Sequence, residues 1–112
     1  MDIDKISVNW RRPNDPSVLI LTSLANGAKH GYALSKDIED FAGVVLSPGT
    51  LYGAITRLEE SGLIAPQPEV QRRRPYVITA AGYAALAETV ADMSRIADVG
   101  KLRLGTVTWM MA

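Results

Sequence analysis

The chain contains no cysteine, and this one absence removes disulfide scaffolds, thiolate zinc sites and cysteine nucleophiles together. Histidine is nearly missing as well. His30 stands alone, so multi-histidine metal clusters and Ser-His dyads with supporting partners are hard to assemble. Neither catalytic residues, metal ligands nor a cofactor are expected. No uninterrupted apolar run approaches the ~18 residues of a membrane span. The N-terminus, Met1-Asp2-Ile3-Asp4, opens with acids and lacks the basic-then-apolar pattern of a secretory signal, so a cytoplasmic location is the expectation. Excess charge is also absent. Twelve Lys plus Arg balance twelve Asp plus Glu, which taken as a total argues against a nucleic-acid binder.

What is present is ordinary in amount and informative in arrangement. Apolar residues form 47% of 112 residues and charged residues 21%, the balance of one soluble globular domain. The basic charge is locally concentrated: Arg72, Arg73 and Arg74 run together with only Glu69 close by. The acids Asp37, Glu39, Asp40, Glu59, Glu60, Glu88 and Asp92 are instead scattered over helical stretches.

Residues 1–13 show no periodicity and read as an N-terminal arm. Asp15-Pro16 looks like an N-cap followed by proline at the first helical position, where its missing N–H does no harm. Val18, Leu21, Leu24 and Ala25 then recur at helical spacing up to Gly27. A second helix opens at His30-Gly31, with Leu34, Ile38 and Phe41 on one face and Lys36, Asp37, Glu39 and Asp40 on the other, and ends at Gly43. A third starts with Ser47 as N-cap and Pro48 in its first turn, carries the apolar stripe Leu51, Ile55 and Leu58, and closes at Gly62. Leu63-Ile64 and Tyr76-Val77-Ile78-Thr79 are short β-prone runs around a basic loop, a two-stranded hairpin. Thr79 caps a last helix in which Tyr83, Leu86, Val90, Met93, Ala97, Gly100 and Leu104 follow at steps of three and four, a seam suited to another helix. Three helices, a hairpin and a helix make a mainly α (α+β) winged helix-turn-helix with a C-terminal dimerisation helix. The expected divisions are an arm at 1–13, the winged domain at 14–79, the dimerisation helix at 80–104 and a tail at 105–112.

If Leu51, Ile55 and Leu58 face the core, the 3.6-residue period turns Gly49, Thr50, Tyr52, Gly53 and Thr56 outward. That face is small and hydrogen-bonding, which suits close approach to a DNA groove: Thr50 can donate to a phosphate or base edge, and Tyr52 can reach a phosphate oxygen. The free N–H groups of the first turn add attraction for an anion. The three arginines form a compact donor group of the kind that neutralises phosphates. A helix start with a packed aromatic, and a solvated turn, are the plainer readings of the same residues. His30, at the entrance to the second helix, reads as a residue that orients the turn. Glu59 and Glu60 cannot both face one site on a helix and read as a solvated face.

The segments His30-Gly31-Tyr32-Ala33-Leu34, Ser47-Pro48-Gly49-Thr50-Leu51-Tyr52, Arg57-Leu58-Glu59 with Gly62-Leu63-Ile64, and Tyr76-Val77-Ile78-Thr79 with Gly82 resemble, in order, the signature segments of PadR-type transcriptional regulators. The resemblance runs from about Ser17 to Arg103. It implies a homodimer joined mainly by the C-terminal helix, with two recognition helices in successive major grooves of a palindromic operator and with the hairpin as wing. On this basis Tyr32, Ser47, Pro48, Gly49, Thr50, Tyr52, Gly53, Arg72, Arg73 and Arg74 are the candidate DNA-binding residues. Tyr83, Leu86, Val90, Met93, Ile96 and Ala97 are the candidate dimer interface. Two departures stand out. Gly53 follows Tyr52 where the family commonly has proline, and the long C-terminal domain of larger members has no counterpart, so the chain is similar to the short subfamily.

Trp10, Met93 and Trp109, with Met110 and Met111, could line an apolar cavity for a flat aromatic effector. Ordinary dimer packing or a frayed terminus explains them equally well. The expected function is that of a sequence-specific DNA-binding repressor. The alternative is a winged-helix interaction module that docks a protein and does not bind DNA, for which net neutrality is the best support.

Overall fold

The computed structural model describes the backbone of residues 15–111 and the side chains of residues 15–105. The expected arm at 1–13, with Trp10, and the side chain of Trp109 lie outside the described residues. Helix α1 (Pro16–Leu24) begins because Pro16 fits its first turn and the Asp15 carboxylate accepts the Ser17 N–H at 2.8 Å. It ends a little before Gly27, which turns the chain with a φ of +148°. Val18, Leu19, Ile20, Leu21 and Leu24 are all buried, since α1 lies at the centre of the fold against each of the other helices and the second strand.

Helix α2 (Gly31–Ala42) contributes Leu34 and Ile38 to the core and stops at Gly43, whose left-handed backbone is open to glycine at low cost. Phe41 departs from expectation. It continues the apolar stripe by spacing but is 47% exposed, outside the core that Leu34 and Ile38 enter. Helix α3 (Pro48–Glu60) buries Leu51, Ala54, Ile55 and Leu58. A polar tie holds α1 to α2 beneath this core. The buried Ser23 hydroxyl donates to Asp37 at 2.6 Å, and the Lys29 ammonium reaches the Ser23 carbonyl, the Asn26 side chain and Asp37. Every buried side-chain polar atom among the described residues is thereby satisfied.

Strands β1 (Ile64–Pro66) and β2 (Tyr76–Ile78) pair antiparallel, with Ile64 opposite Ile78 and Pro66 opposite Tyr76. On its other side β2 bonds Lys29, whose N–H and carbonyl meet the Tyr76 carbonyl and N–H at 3.1 and 3.0 Å. The wing is therefore anchored to the turn before α2. At its tip Val70 and Arg73 exchange backbone hydrogen bonds around Gln71 and Arg72, which have φ of 51° and 65°. Two consecutive positive φ values match the twist of a tight hairpin but are costly for residues with a Cβ, by about 1 kcal/mol each. Gln71→Gly is expected to raise stability by roughly 0.5–1 kcal/mol. Calorimetry would read this as a higher thermal midpoint, and an unmoved midpoint would show that the tip carries no such strain.

Helix α4 (Ala80–Met111) starts where the Thr79 hydroxyl accepts the Gly82 N–H at 3.1 Å and donates to the Gly62 carbonyl at 2.7 Å. It continues to Met111, well past the end expected at 104, so residues 105–111 of the expected tail are helical. Leu86 requires a correction. At 8% exposure it closes the core of its own subunit and has little surface to offer a second copy. Met93 also packs partly against that core. The reason is that the first turns of α4 lie on α1, so the inner edge of the seam is consumed within the protomer. Among the described residues no helix is long and apolar enough to cross a membrane.

Candidate nucleic-acid interface

Helix α3 takes its start from Ser47, whose Oγ accepts the Thr50 N–H at 3.2 Å. The same hydroxyl donates to Thr50 Oγ1 at 2.9 Å, which leaves the Thr50 proton free to point outward. With Leu51, Ala54, Ile55 and Leu58 committed to the core, Ser47, Pro48, Gly49, Thr50, Tyr52 and Thr56 are exposed and Gly53 half-exposed, as the 3.6-residue period requires. This outer face carries no charge in its first two turns. Tyr52, 51% exposed, bends back over α2 and sits against the backbone of Gly31. A Cβ at residue 31 would lie 2.9 Å from Tyr52 Cζ and nearer still to its hydroxyl. Gly31 thus sets the position of Tyr52, a coupling between two motifs that the sequence shows only as separate segments.

The wing brings its arginines to the same side. Arg72 occupies the exposed tip. Arg73 lies 5.9 Å above the ring of Tyr32, a cation–π distance, with one guanidinium nitrogen 3.1 Å from His30 Nε2. Arg74 donates to the Gln67 carbonyl at 2.8 Å and is braced along the hairpin. His30, Tyr32, Tyr52, the three arginines and Tyr76 line one cleft of about 260 Å³ between α2, α3 and the wing. Burial, reinforced by the nearby Glu59 and opposed by Arg74, pushes the Tyr76 phenol above its ordinary value and keeps it neutral.

Tyr32, Tyr52, Arg72, Arg73 and Arg74 therefore come together, and the polar turn from Ser47 to Thr50 opens the same helix that carries Tyr52. His30 was expected only to orient the turn. It stands at the capping position of α2, with Nδ1 3.3 Å from the Ala33 nitrogen, and its other nitrogen meets Arg73. No spacing rule could reveal that pair, because 43 residues separate its members. Among the described residues no three His, Asp or Glu side chains cluster so as to hold a metal ion. On α4, Tyr83, Val90, Ile96 and Ala97 are exposed, as are Val99, Leu102 and Leu104 beyond them.

Comparison with known proteins gives these features a context. The chain is 37% identical over 81 residues to transcriptional regulator Rv3488 of Mycobacterium tuberculosis, which covers 70% of this chain and 75% of that protein. It is 44% identical over 85 residues to an uncharacterised 37.1 kDa protein of transposon Tn4556 from Streptomyces fradiae, covering 76% of this chain but spanning only 25% of that longer protein. A PadR family transcription regulator from Clostridium difficile superposes with a TM-score of 0.72 at 24% identity, over 80% of this chain and 97% of that one. Bacillus subtilis PadR, solved in complex with operator DNA, superposes with a TM-score of 0.61 at 20% identity, over 66% of this chain and 45% of that one. At those two identities the likeness is one of fold. The model of the PadR-like family of transcriptional regulators matches residues 20–88, more than half of the sequence, and the chain belongs to that family of regulators rather than to a class of enzymes.

Proposed function

We propose that this regulator binds double-stranded DNA as a homodimer and represses transcription from a palindromic operator, with α3 as the recognition helix and the hairpin as wing. The observation that carries the reading is that Tyr52, on the uncharged, hydrogen-bonding face of α3, meets the three wing arginines across one cleft. The first can lie close to base edges, and the second neutralises backbone charge despite a net charge of zero for the chain. The operator complex of Bacillus subtilis PadR, which shares the fold, supports it. Pairing through the exposed apolar side of α4 would repeat α3 about a two-fold axis, the arrangement a palindrome needs, with half-sites about 34–36 Å apart. An aromatic effector has less behind it. Of the candidate pocket residues Trp10, Met93 and Trp109, only Met93 has a described side chain, and it packs on its own core.

Binding to duplex DNA is expected to weaken steeply with salt, each phosphate contact adding a slope of about −0.9 in log K against log salt. Joint replacement of Arg72, Arg73 and Arg74 by alanine should flatten that slope and weaken binding to all sequences alike. Thr50→Ala should instead reduce preference between sequences while leaving the slope in place. A slope unchanged by loss of the arginines would remove the wing from the interface. Absence of any salt-dependent binding would favour the protein-docking alternative.

A further inference from the structure

The cleft beside the wing has more hydrogen-bond donors than it can use. Arg72, Arg73 and Arg74 line it with Tyr32, Tyr52 and Tyr76, and among the described residues no carboxylate does. On the far side of His30 the polar neighbours are Gln67 and Gln71, and the Lys29 ammonium is already engaged by Ser23, Asn26 and Asp37. His30 stands where this surplus is sharpest. Its Nδ1 faces the Ala33 N–H at 3.3 Å and its Nε2 faces the Arg73 guanidinium at 3.1 Å. Both neighbours are obligate donors, so both ring nitrogens are required to accept. A neutral imidazole has only one accepting nitrogen, and an imidazolium has none.

The ring must therefore choose. The contact with Arg73 is the shorter and involves a charged donor, and charge-assisted bonds are about twice as strong as neutral ones. Nε2 then carries the lone pair and Nδ1 the proton, which leaves the α2 cap unmade. An anionic acceptor in the cleft would relieve every part of this conflict at once.

Resting on the DNA-binding reading above, we propose that the cleft is a site for one backbone phosphate of DNA and that His30 is a phosphate-contacting residue within it. When the phosphate enters, Arg73 turns from His30 to the anion. The ring loses its Nδ1 proton to water and takes one from water at Nε2, with no net proton change. Nε2–H then donates to the phosphate, and Nδ1 accepts the Ala33 N–H and completes the cap. Binding of the backbone is thus coupled to the ordering of α2 and of the turn that anchors the wing.

His30 is the only histidine in the chain, so its ring nitrogens give unambiguous signals in nitrogen-15 NMR of the 112-residue chain. The expected result is a ring protonated at Nδ1 in the free protein that becomes protonated at Nε2 on saturation with a short duplex of random sequence. Fluorescence anisotropy on the same duplex reports binding independently. A duplex that does not bind overturns the DNA-binding reading and this site with it. A duplex that binds without changing the protonated nitrogen, or a free protein already protonated at Nε2, overturns the site alone. Inorganic phosphate at matched ionic strength is the second probe. If it shifts the proton and the duplex does not, the cleft takes a free anion and not nucleic acid. His30→Asn keeps a good capping residue but is too short to reach the phosphate, so it should fold normally and bind random duplex about tenfold more weakly. Wild-type affinity in that variant would also overturn the site.

Discussion

Charging the outer side of α4, as in Val90→Asp combined with Ile96→Asp, is expected to give a folded monomer whose affinity for duplex DNA falls by roughly 10²–10⁴-fold. Beyond Met93 the helix runs on for about 27 Å at 1.5 Å per residue. Over that length Ile96, Val99, Leu102 and Leu104 are left 41–73% exposed. Each aliphatic side chain fully buried by a partner contributes roughly 1.5–3 kcal/mol, so several per subunit exceed the cost of association. Val90 and Ile96 are 47% and 68% exposed within the protomer, so aspartate there opposes pairing without opening the core. Met93 is the poorer position, since it also supports its own subunit. In the proposed dimer each half-site contact gains from the effective concentration its partner supplies, and a monomer would lose that gain. Sedimentation equilibrium reads the mass and anisotropy the affinity. A variant that remains dimeric and binds fully would exclude this face of α4 from the interface.

Gly82→Ala is expected to cost about 3 kcal/mol, a large part of the 5–15 kcal/mol that holds a typical domain folded. Its added methyl would be driven into the Leu63 carbonyl oxygen and come within 2.9 Å of Ile78 Cγ1. The obstacle is backbone at the base of the wing, so relief requires α4 to move off the hairpin. The Gly82 N–H would then leave the Thr79 hydroxyl, and the cap of α4 would weaken with it. Gly53→Ala provides the contrast. The nearest atom to a Cβ there is the flexible end of Arg57 at 3.5 Å, and alanine in a helix interior is favoured by up to about 1 kcal/mol. Denaturant titration should place the two variants on opposite sides of wild type. A Gly82→Ala protein as stable as wild type would show that α4 does not bear on the wing as closely as described.

The local elements were legible because their signals act over a few residues. Asp15, Ser47 and Thr79 cap the helices that follow them, and Gly43 and Gly62 adopt positive φ where the stripes end. The outward set on α3 follows from period alone once Leu51, Ile55 and Leu58 are taken inward. Phe41 and Leu86 show the limit of the same rule. Periodicity identifies a face, and the neighbours that happen to reach it decide whether that face is buried, in which subunit, or left in water.

By itself the sequence determined the order of elements, their caps, the neutral face of α3, the concentration of arginine in the wing and the signature segments that mark the family. Tertiary structure alone decided the pairings across long loops: Tyr52 on Gly31, Lys29 on Tyr76, Arg73 on His30, and Leu86 inside its own core. The physical reason lies in range. Caps and stripes are stabilised by bonds within about four positions of the chain, whereas these contacts form only after the core around α1 has closed the loops between them and offset their entropy.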